Sequence, residues 1–182
     1  MKCYRMNLCL FQRKMLQTLD AIECFEKLFL EFKPKRILEI GAGRGALSLF
    51  LGIHAVIMDA KTISIDTWDK RKTGLLMEKL SLPSKFLCSD YKLIFDDCIN
   101  FIHEDSPSLV LCDNGCKEEE LFSFAPHLRE GDILMAHDWK TEVRESFVDE
   151  LVEKQNLEYF KQTELWDKLD SRWVCLRKLI IT

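Results

Sequence analysis

The sequence predicts an α/β fold, a three-layer sandwich in which seven strands form a mostly parallel sheet with helices on both faces. Three observations predict it. Short apolar runs alternate with longer stretches of helical periodicity, which implies right-handed crossovers between parallel strands. A glycine-rich turn, Gly41-Ala42-Gly43-Arg44-Gly45, follows the first of those runs. Two extended runs close the chain with no helix between them, and so predict an antiparallel hairpin added to one sheet edge.

Each element has its own signal. Leu8, Phe11, Met15, Leu19, Ile22, Phe25 and Phe29 recur at helical spacing, predicting an amphipathic helix over 8–32 that Pro34 stops. Residues 36–40 form the first buried strand, and the glycines lead into a helix over 46–58. A second strand over 62–66 ends in an acid, and a helix over 70–81 ends at Pro83. The third strand is expected over 92–96, with a short helix over 98–103. The fourth strand covers 108–113, then a helix covers 117–128 with an irregularity at Pro126. The fifth strand covers 132–138, and an amphipathic helix covers 141–155. The runs 157–165 and 172–181 make the hairpin around a polar turn at 167–171. Residues 1–33 are expected as an N-terminal helical extension, and 34–182 as the main domain.

Composition narrows the function. A chain of 182 residues with 47% apolar residues suits one compact domain. Its net charge of -4, without a basic field, argues against a nucleic-acid partner. No apolar stretch reaches membrane-spanning length, and Gln12, Arg13 and Lys14 interrupt the first apolar run too early for a signal peptide. Eight cysteines are scattered without a Cys-x-x-Cys pair, which suggests reduced thiols and a cytoplasmic location. A small-molecule substrate is expected, and the apolar N-terminal helix offers a surface for a homodimer.

In open parallel sheets, ligands bind beyond the carboxyl ends of strands. The glycines after the first strand allow a tight turn and close approach of a ligand to backbone. Asp66 ends the second strand, where a carboxylate can accept hydrogen bonds from both hydroxyls of a ribose; it can equally cap the next turn, with Thr67 beside it. Asp97, with Cys98 beside it, is placed to meet an adenine amino group or to cap a helix. The loop also satisfies Gly-x-Gly-x-x-Ala through Ala46, which a dinucleotide can use.

The order Arg36-Ile37-Leu38-Glu39-Ile40-Gly41-Ala42-Gly43-Arg44-Gly45, Ile63-Ser64-Ile65-Asp66, Phe95-Asp96-Asp97, Leu109-Val110-Leu111-Cys112-Asp113 and Leu128-Arg129-Glu130-Gly131-Asp132-Ile133-Leu134 resembles the class I S-adenosylmethionine-dependent methyltransferases, whose fold is Rossmann-like. Glu39, two residues before Gly41, is typical of that family. The resemblance implies a bound S-adenosylmethionine. Glu39, Gly41, Ala42, Gly43 and Gly45 would hold its methionine part, with Asp113 nearby; Asp66 and Thr67 would hold the ribose, and Asp97 and Cys98 the adenine. Cys112-Asp113-Asn114-Gly115-Cys116-Lys117 and Ala136-His137-Asp138-Trp139 resemble the small-molecule O-methyltransferases of the catechol, macrolide-sugar and cephalosporin-hydroxylase-like types. Three features depart from that pattern: no His follows Asp113, Asp132 replaces the second of the usual two glycines, and Arg44 is a bulky cation in the glycine loop.

Asp113 and Asp138 end neighbouring strands, so their carboxylates can converge as hard oxygen ligands for Mg²⁺, which lowers the pKa of a substrate hydroxyl. His137 and Lys117 are the candidate bases. Each has a plainer reading. Asp113 can stabilise a cationic cofactor without metal, and Asp138 can cap a helix. In a regular strand His137 points away from Asp138, and Lys117 sits on a solvated helix. Trp139 and Trp166 can line a substrate pocket or fill the core, and Arg44 can pair with a substrate anion or with a surface acid. Two rivals stand beside methyl transfer on oxygen: a non-catalytic domain that binds the nucleoside cofactor or a partner, and an NAD-dependent oxidoreductase.

Overall fold

The computed structural model describes residues 9–11, 13–14, 17–69 and 71–179. Its centre is built from apolar runs too short for a helix. Strand β1 (Arg36–Ile40) and strand β4 (Ser108–Cys112) are buried at every position, and strand β5 (Ile133–His137) at all but the last. Strands β2 (Lys61–Asp66), β3 (Ser84–Cys88), β6 (Leu157–Tyr159) and β7 (Trp173–Lys178) complete one sheet in the order β3-β2-β1-β4-β5-β7-β6. The first five are parallel, and β7 runs antiparallel to both β5 and β6.

Alternation along the strands splits the core in two. Ile37, Leu109, Leu111, Ile133 and Met135 face helices α1 (Leu19–Phe32) and α2 (Ala46–Met58). Leu38, Ile40, Val110, Cys112, Leu134 and Ala136 face helices α4 (Phe95–His103), α5 (Lys117–Phe124) and α6 (Glu145–Gln155). Helix α3 (Arg71–Lys79) follows β2. On the first face Phe25 is fully buried against Trp166 and Trp173, with ring centroids 5.6 and 5.3 Å away. Truncating such a ring to Ala costs about 3–5 kcal/mol. The face of α1 that carries Ala21, Cys24, Phe25, Leu28 and Phe29 is therefore buried in the chain's own core, while Leu19 and Leu30 are exposed.

Several boundaries differ from expectation, each for a local reason. The first helix begins at Leu19 rather than 8, because the Thr18 hydroxyl accepts from the Ala21 N–H at 3.0 Å and caps it. Upstream, Cys9–Leu10 and Arg13–Lys14 pair as a small antiparallel ribbon; residue 8 lies outside the described residues. The third strand is 84–88, not 92–96. Asp90 caps a 3₁₀ turn over Tyr91–Ile94 that runs into α4, whose Cys98, Phe101 and Ile102 face the core. The apolar run at 92–96 is therefore the start of a helix. The true strand sits at the sheet edge, half exposed, and has no strong apolar signature.

The final hairpin forms, but its first arm stops at Tyr159. A π-helical turn over Gln162–Trp166 follows, entered through left-handed Lys161. Helix α5 gives way to a 3₁₀ turn at Pro126. Asp132, in the position of the missing glycine, is fully buried and accepts from the Ser108 and Arg129 N–H groups at 2.7 and 2.8 Å. Among the described residues, no helix is long and apolar enough to cross a membrane.

Candidate active site

Strand register brings the site together. Ile40 pairs with Ile65 on one side and Cys112 on the other, and Cys112 pairs with Ala136. The next residues, Asp66, Gly41, Asp113 and His137, therefore form one row along the carboxyl edge of the sheet. Asp113 N–H donates to the Ile40 carbonyl at 2.8 Å, and Gly41 N–H to the Ile65 carbonyl at 2.8 Å.

The glycine loop can be built only from glycine at two places. Gly41 has φ 93°, and a Cβ there would lie 2.3 Å from the Asp113 carbonyl oxygen. Gly45 has φ 80°, and a Cβ would lie 2.3 Å from Thr73 Oγ1. Behind the loop, Glu39 is 1% exposed. Its Oε2 accepts from Ser48 at 2.5 Å, while its Oε1 has no hydrogen-bond partner. Burial pushes this carboxyl up to about 7, against the pull of Ser48 and Ser64; the Asp113 and Asp66 charges push the same way as burial.

Asp66 accepts from the Gly43 N–H at 2.9 Å and the Trp68 N–H at 2.8 Å, so it ties the glycine loop to the end of β2. Thr67 is exposed beside it, and Arg44 is exposed on the slot rim. Glu39, Gly41, Ala42, Gly43, Leu47 and Asp113 wall a slot of about 20 Å³, room for roughly one water. Gln17 closes it, donating to Asp113 Oδ2 at 3.1 Å and accepting from Trp173 Nε1 at 2.9 Å. No sequence signal marked Gln17, because it bridges residues 96 and 156 positions away.

A second cluster lies beyond Asp113. His137 Nδ1 is 3.2 Å from Asp113 Oδ1 and 3.4 Å from Asp138 Oδ2. The side chains expected on opposite faces meet because Asp138 adopts φ 59°, which ends the regular strand and turns its carboxylate back. Each of the three offers one ligand atom within 4.8 Å of the others. Asp138 also caps the loop before α6: its carbonyl accepts from the N–H groups of Thr141, Glu142 and Val143.

Lys117 is 7% exposed, not solvated. Its Nζ lies 2.7 Å from Glu142 Oε2, 3.1 Å from Asp138 Oδ2 and 4.0 Å from Asp113 Oδ1. Burial alone would pull its ammonium down, but the hydrogen bonds to Glu142 and Asp138, with Asp113 nearby, leave it above the ordinary lysine value. A lysine held charged cannot take a proton, so the expected base is a fixed positive charge. Glu142 carried no sequence signal; it reaches Lys117 only through tertiary packing.

Two expected contacts disperse. Asp97 lies in the first turn of α4 and lines a cavity of about 500 Å³ with Lys61, Thr62 and Ser84, which sit at the amino ends of β2 and β3. Cys98 is 3% exposed in the core. Neither is at the carboxyl edge. The residues there are Cys88, Ser89 and Asp90, and the Ser-Lys-Phe-Leu-Cys-Ser-Asp run after Pro83 was the signal that could have found them. Glu120, also unforeseen, is fully buried behind the Asp113 loop; its Oε2 accepts from the Asn114 N–H at 3.4 Å, and burial pushes it up to about 7. Trp166 is core, whereas Trp139 lines a separate cavity of about 430 Å³ with Tyr159 and Arg177.

No protein-family model matches the chain, and no curated protein matches it in sequence. Solved structures do match it in shape. The apo structure of CmcI is 19% identical with a TM-score of 0.71, over 95% of this chain and 76% of that one. CmcI with Mg-SAM is 18% identical with a TM-score of 0.67, over 95% and 77%. The Burkholderia thailandensis 1,6-didemethyltoxoflavin-N1-methyltransferase with S-adenosylhomocysteine is 13% identical with a TM-score of 0.55, over 89% and 79%. The fold is that of the class I methyltransferases. The last strand, inserted antiparallel between β5 and β6, belongs to this fold and argues against the dinucleotide reading.

Proposed function

We propose that the chain is an S-adenosylmethionine-dependent methyltransferase acting on a small molecule at oxygen, with a divalent cation held by Asp113 and Asp138. One observation carries the reading: Glu39 and Asp113 converge on a slot walled by Gly41, where no larger residue fits, and Asp66 holds the Gly43 N–H of the same loop. The donor set suits the cofactor. Its ammonium and sulfonium are cationic, and the slot offers a buried carboxylate oxygen without a partner together with Asp113. CmcI with Mg-SAM and the Burkholderia enzyme with S-adenosylhomocysteine lend the cofactor, and the first lends Mg²⁺.

When bound, the cofactor supplies a sulfonium methyl for in-line displacement. The chain's own residues position and polarise. Glu39 and Asp113 receive the positive groups, and Asp66 orders the loop and offers oxygens for the ribose. Asp113 and Asp138 would hold a divalent cation, which would lower the pKa of the acceptor hydroxyl. Lys117 balances part of the carboxylates' charge. His137, with its Nδ1 already between them, is poorly placed to act as a free base. Gln17 must leave Asp113 before the slot can admit a nucleoside.

Calorimetric titration with S-adenosylhomocysteine tests the reading. Binding by the wild type, lost in Gly43→Val and weakened in Asp66→Ala, is the expected result; no binding, or binding that both variants retain, overturns it. The closed slot favours one second reading, a non-catalytic relative. Cofactor binding without methyl transfer to any hydroxyl acceptor would support that one. We place the protein in the cytoplasm, since Cys24, Cys88, Cys98, Cys112, Cys116 and Cys175 are all free. The acidic edge supports a small-molecule partner rather than nucleic acid.

A further inference from the structure

We propose that His137 makes the cation site a nitrogen–oxygen site, so that it selects a first-row transition ion such as Mn²⁺, Co²⁺ or Zn²⁺ over Mg²⁺. The proposal rests on the methyltransferase reading only for what the ion does; that the ion binds is testable by itself.

The donors are already spaced as ligands. With metal–ligand bonds of roughly 2.1 Å, neighbouring donors in an octahedron stand about 3.0 Å apart and in a tetrahedron about 3.4 Å. His137 Nδ1 stands 3.2 Å from one carboxylate oxygen and 3.4 Å from the other. All three ligand atoms lie within 4.8 Å of one another. The imidazole is also held in place: His137 pairs with Trp173 across β5 and β7, and their ring centroids are 5.1 Å apart.

The chemistry of the donors decides the ion. Mg²⁺ is a hard cation that takes oxygen ligands and keeps several waters. Imidazole nitrogen suits Zn²⁺, Co²⁺, Ni²⁺ and Fe²⁺, and Asp–His–Asp is a mixed set. Charge fits a dication as well. The three carboxylates of Asp113, Asp138 and Glu142 face one ammonium, Lys117, and leave two negative charges uncompensated. Lys117 is the rival occupant, since its Nζ is 3.1 Å from Asp138; its shorter contact, 2.7 Å to Glu142, lets it retreat without losing its partner.

The test uses metal-free full-length protein titrated with Mn²⁺, Co²⁺ and Mg²⁺ in separate calorimetric runs, with pulsed electron paramagnetic resonance on the Mn²⁺ form. The expected result is one Mn²⁺ or Co²⁺ bound about 10- to 100-fold more tightly than Mg²⁺, with nitrogen modulation on Mn²⁺. His137→Asp should abolish the modulation and narrow the preference to less than about tenfold, while thermal unfolding shows that the variant is folded. His137→Ala is the second variant and should lose the modulation too. Equal Mg²⁺ and Mn²⁺ affinities, no nitrogen coupling in the wild type, or no ion bound because Lys117 alone fills the site would each overturn the proposal. S-adenosylhomocysteine titrated on the same sample keeps the two readings apart. Nucleoside binding with a nitrogen-free ion sinks this inference alone; a nitrogen-bound ion with no nucleoside binding sinks the methyltransferase reading.

Discussion

The two ends of the sheet carry buried acids in opposite circumstances. At the amino end, Asp132 is fully buried and accepts from two backbone N–H groups and from Arg129 Nε, while Arg36 meets Glu104 and Asp105. Each of these charges has a partner. At the carboxyl end, Glu39 keeps a buried oxygen without one, Asp113 meets a displaceable Gln17, His137 and the more distant Lys117, and Asp138 holds a left-handed backbone. Burying an unsatisfied carboxylate is costly, so the difference separates acids that hold the fold from acids that await something else. The same residue type does opposite work at two ends of one sheet.

Substitutions can break that contrast, and the largest effect should come from the amino end. Asp132→Ala leaves Arg129 and two N–H groups without their acceptor, and should destabilise the fold by about 4 kcal/mol in urea unfolding. Any protein still folded should bind S-adenosylhomocysteine normally. Asp113→Ala should do the reverse. Methyl transfer should fall by about 10²- to 10³-fold, or about 3 kcal/mol, with unfolding free energy unchanged or raised. If Asp113→Ala instead unfolds the protein, the distinction between the two ends fails.

Glu39 sharpens the contrast through pH. Its folded value of about 7 lies above its ordinary 4.5. A carboxyl raised in this way contributes stability that is complete below its unfolded value and is lost as pH rises through 7. Glu39→Gln removes that dependence. The variant should exceed the wild type by roughly 2–3 kcal/mol above pH 7 and match it below about 4.5, measured by thermal unfolding across that window. It should also bind S-adenosylhomocysteine less tightly, since the neutral amide no longer attracts the ligand's ammonium. The smallest effect belongs to Gln17→Ala. Removing one side-chain bridge to Asp113 should tighten S-adenosylhomocysteine binding by about 1 kcal/mol, read by calorimetry. Weaker binding would make Gln17 a ligand contact rather than a plug.

Legibility followed burial pattern. β1, β4 and β5 are buried on both faces, so short, mostly apolar runs announced them, and the glycines after β1 marked a turn that no Cβ permits. β3 is a half-exposed edge strand, and the apolar residues after it belong to a helix that Asp90 starts. That one misplacement carried Asp97 and Cys98 into the site, although one lies at the far end of the sheet and the other in the core.

What the sequence alone determined is the parallel sheet, the terminal hairpin, the glycine loop, and the acids that end strands at 66, 113 and 138, because local periodicity and strand ends are properties of neighbouring residues. What only the tertiary structure decided is who meets whom. The strand break at Asp138 turned it toward His137, Glu142 made Lys117 a permanent cation, and Gln17 closed the slot. These depend on contacts between residues tens of positions apart, and on electrostatics that exist only once those residues share a buried edge.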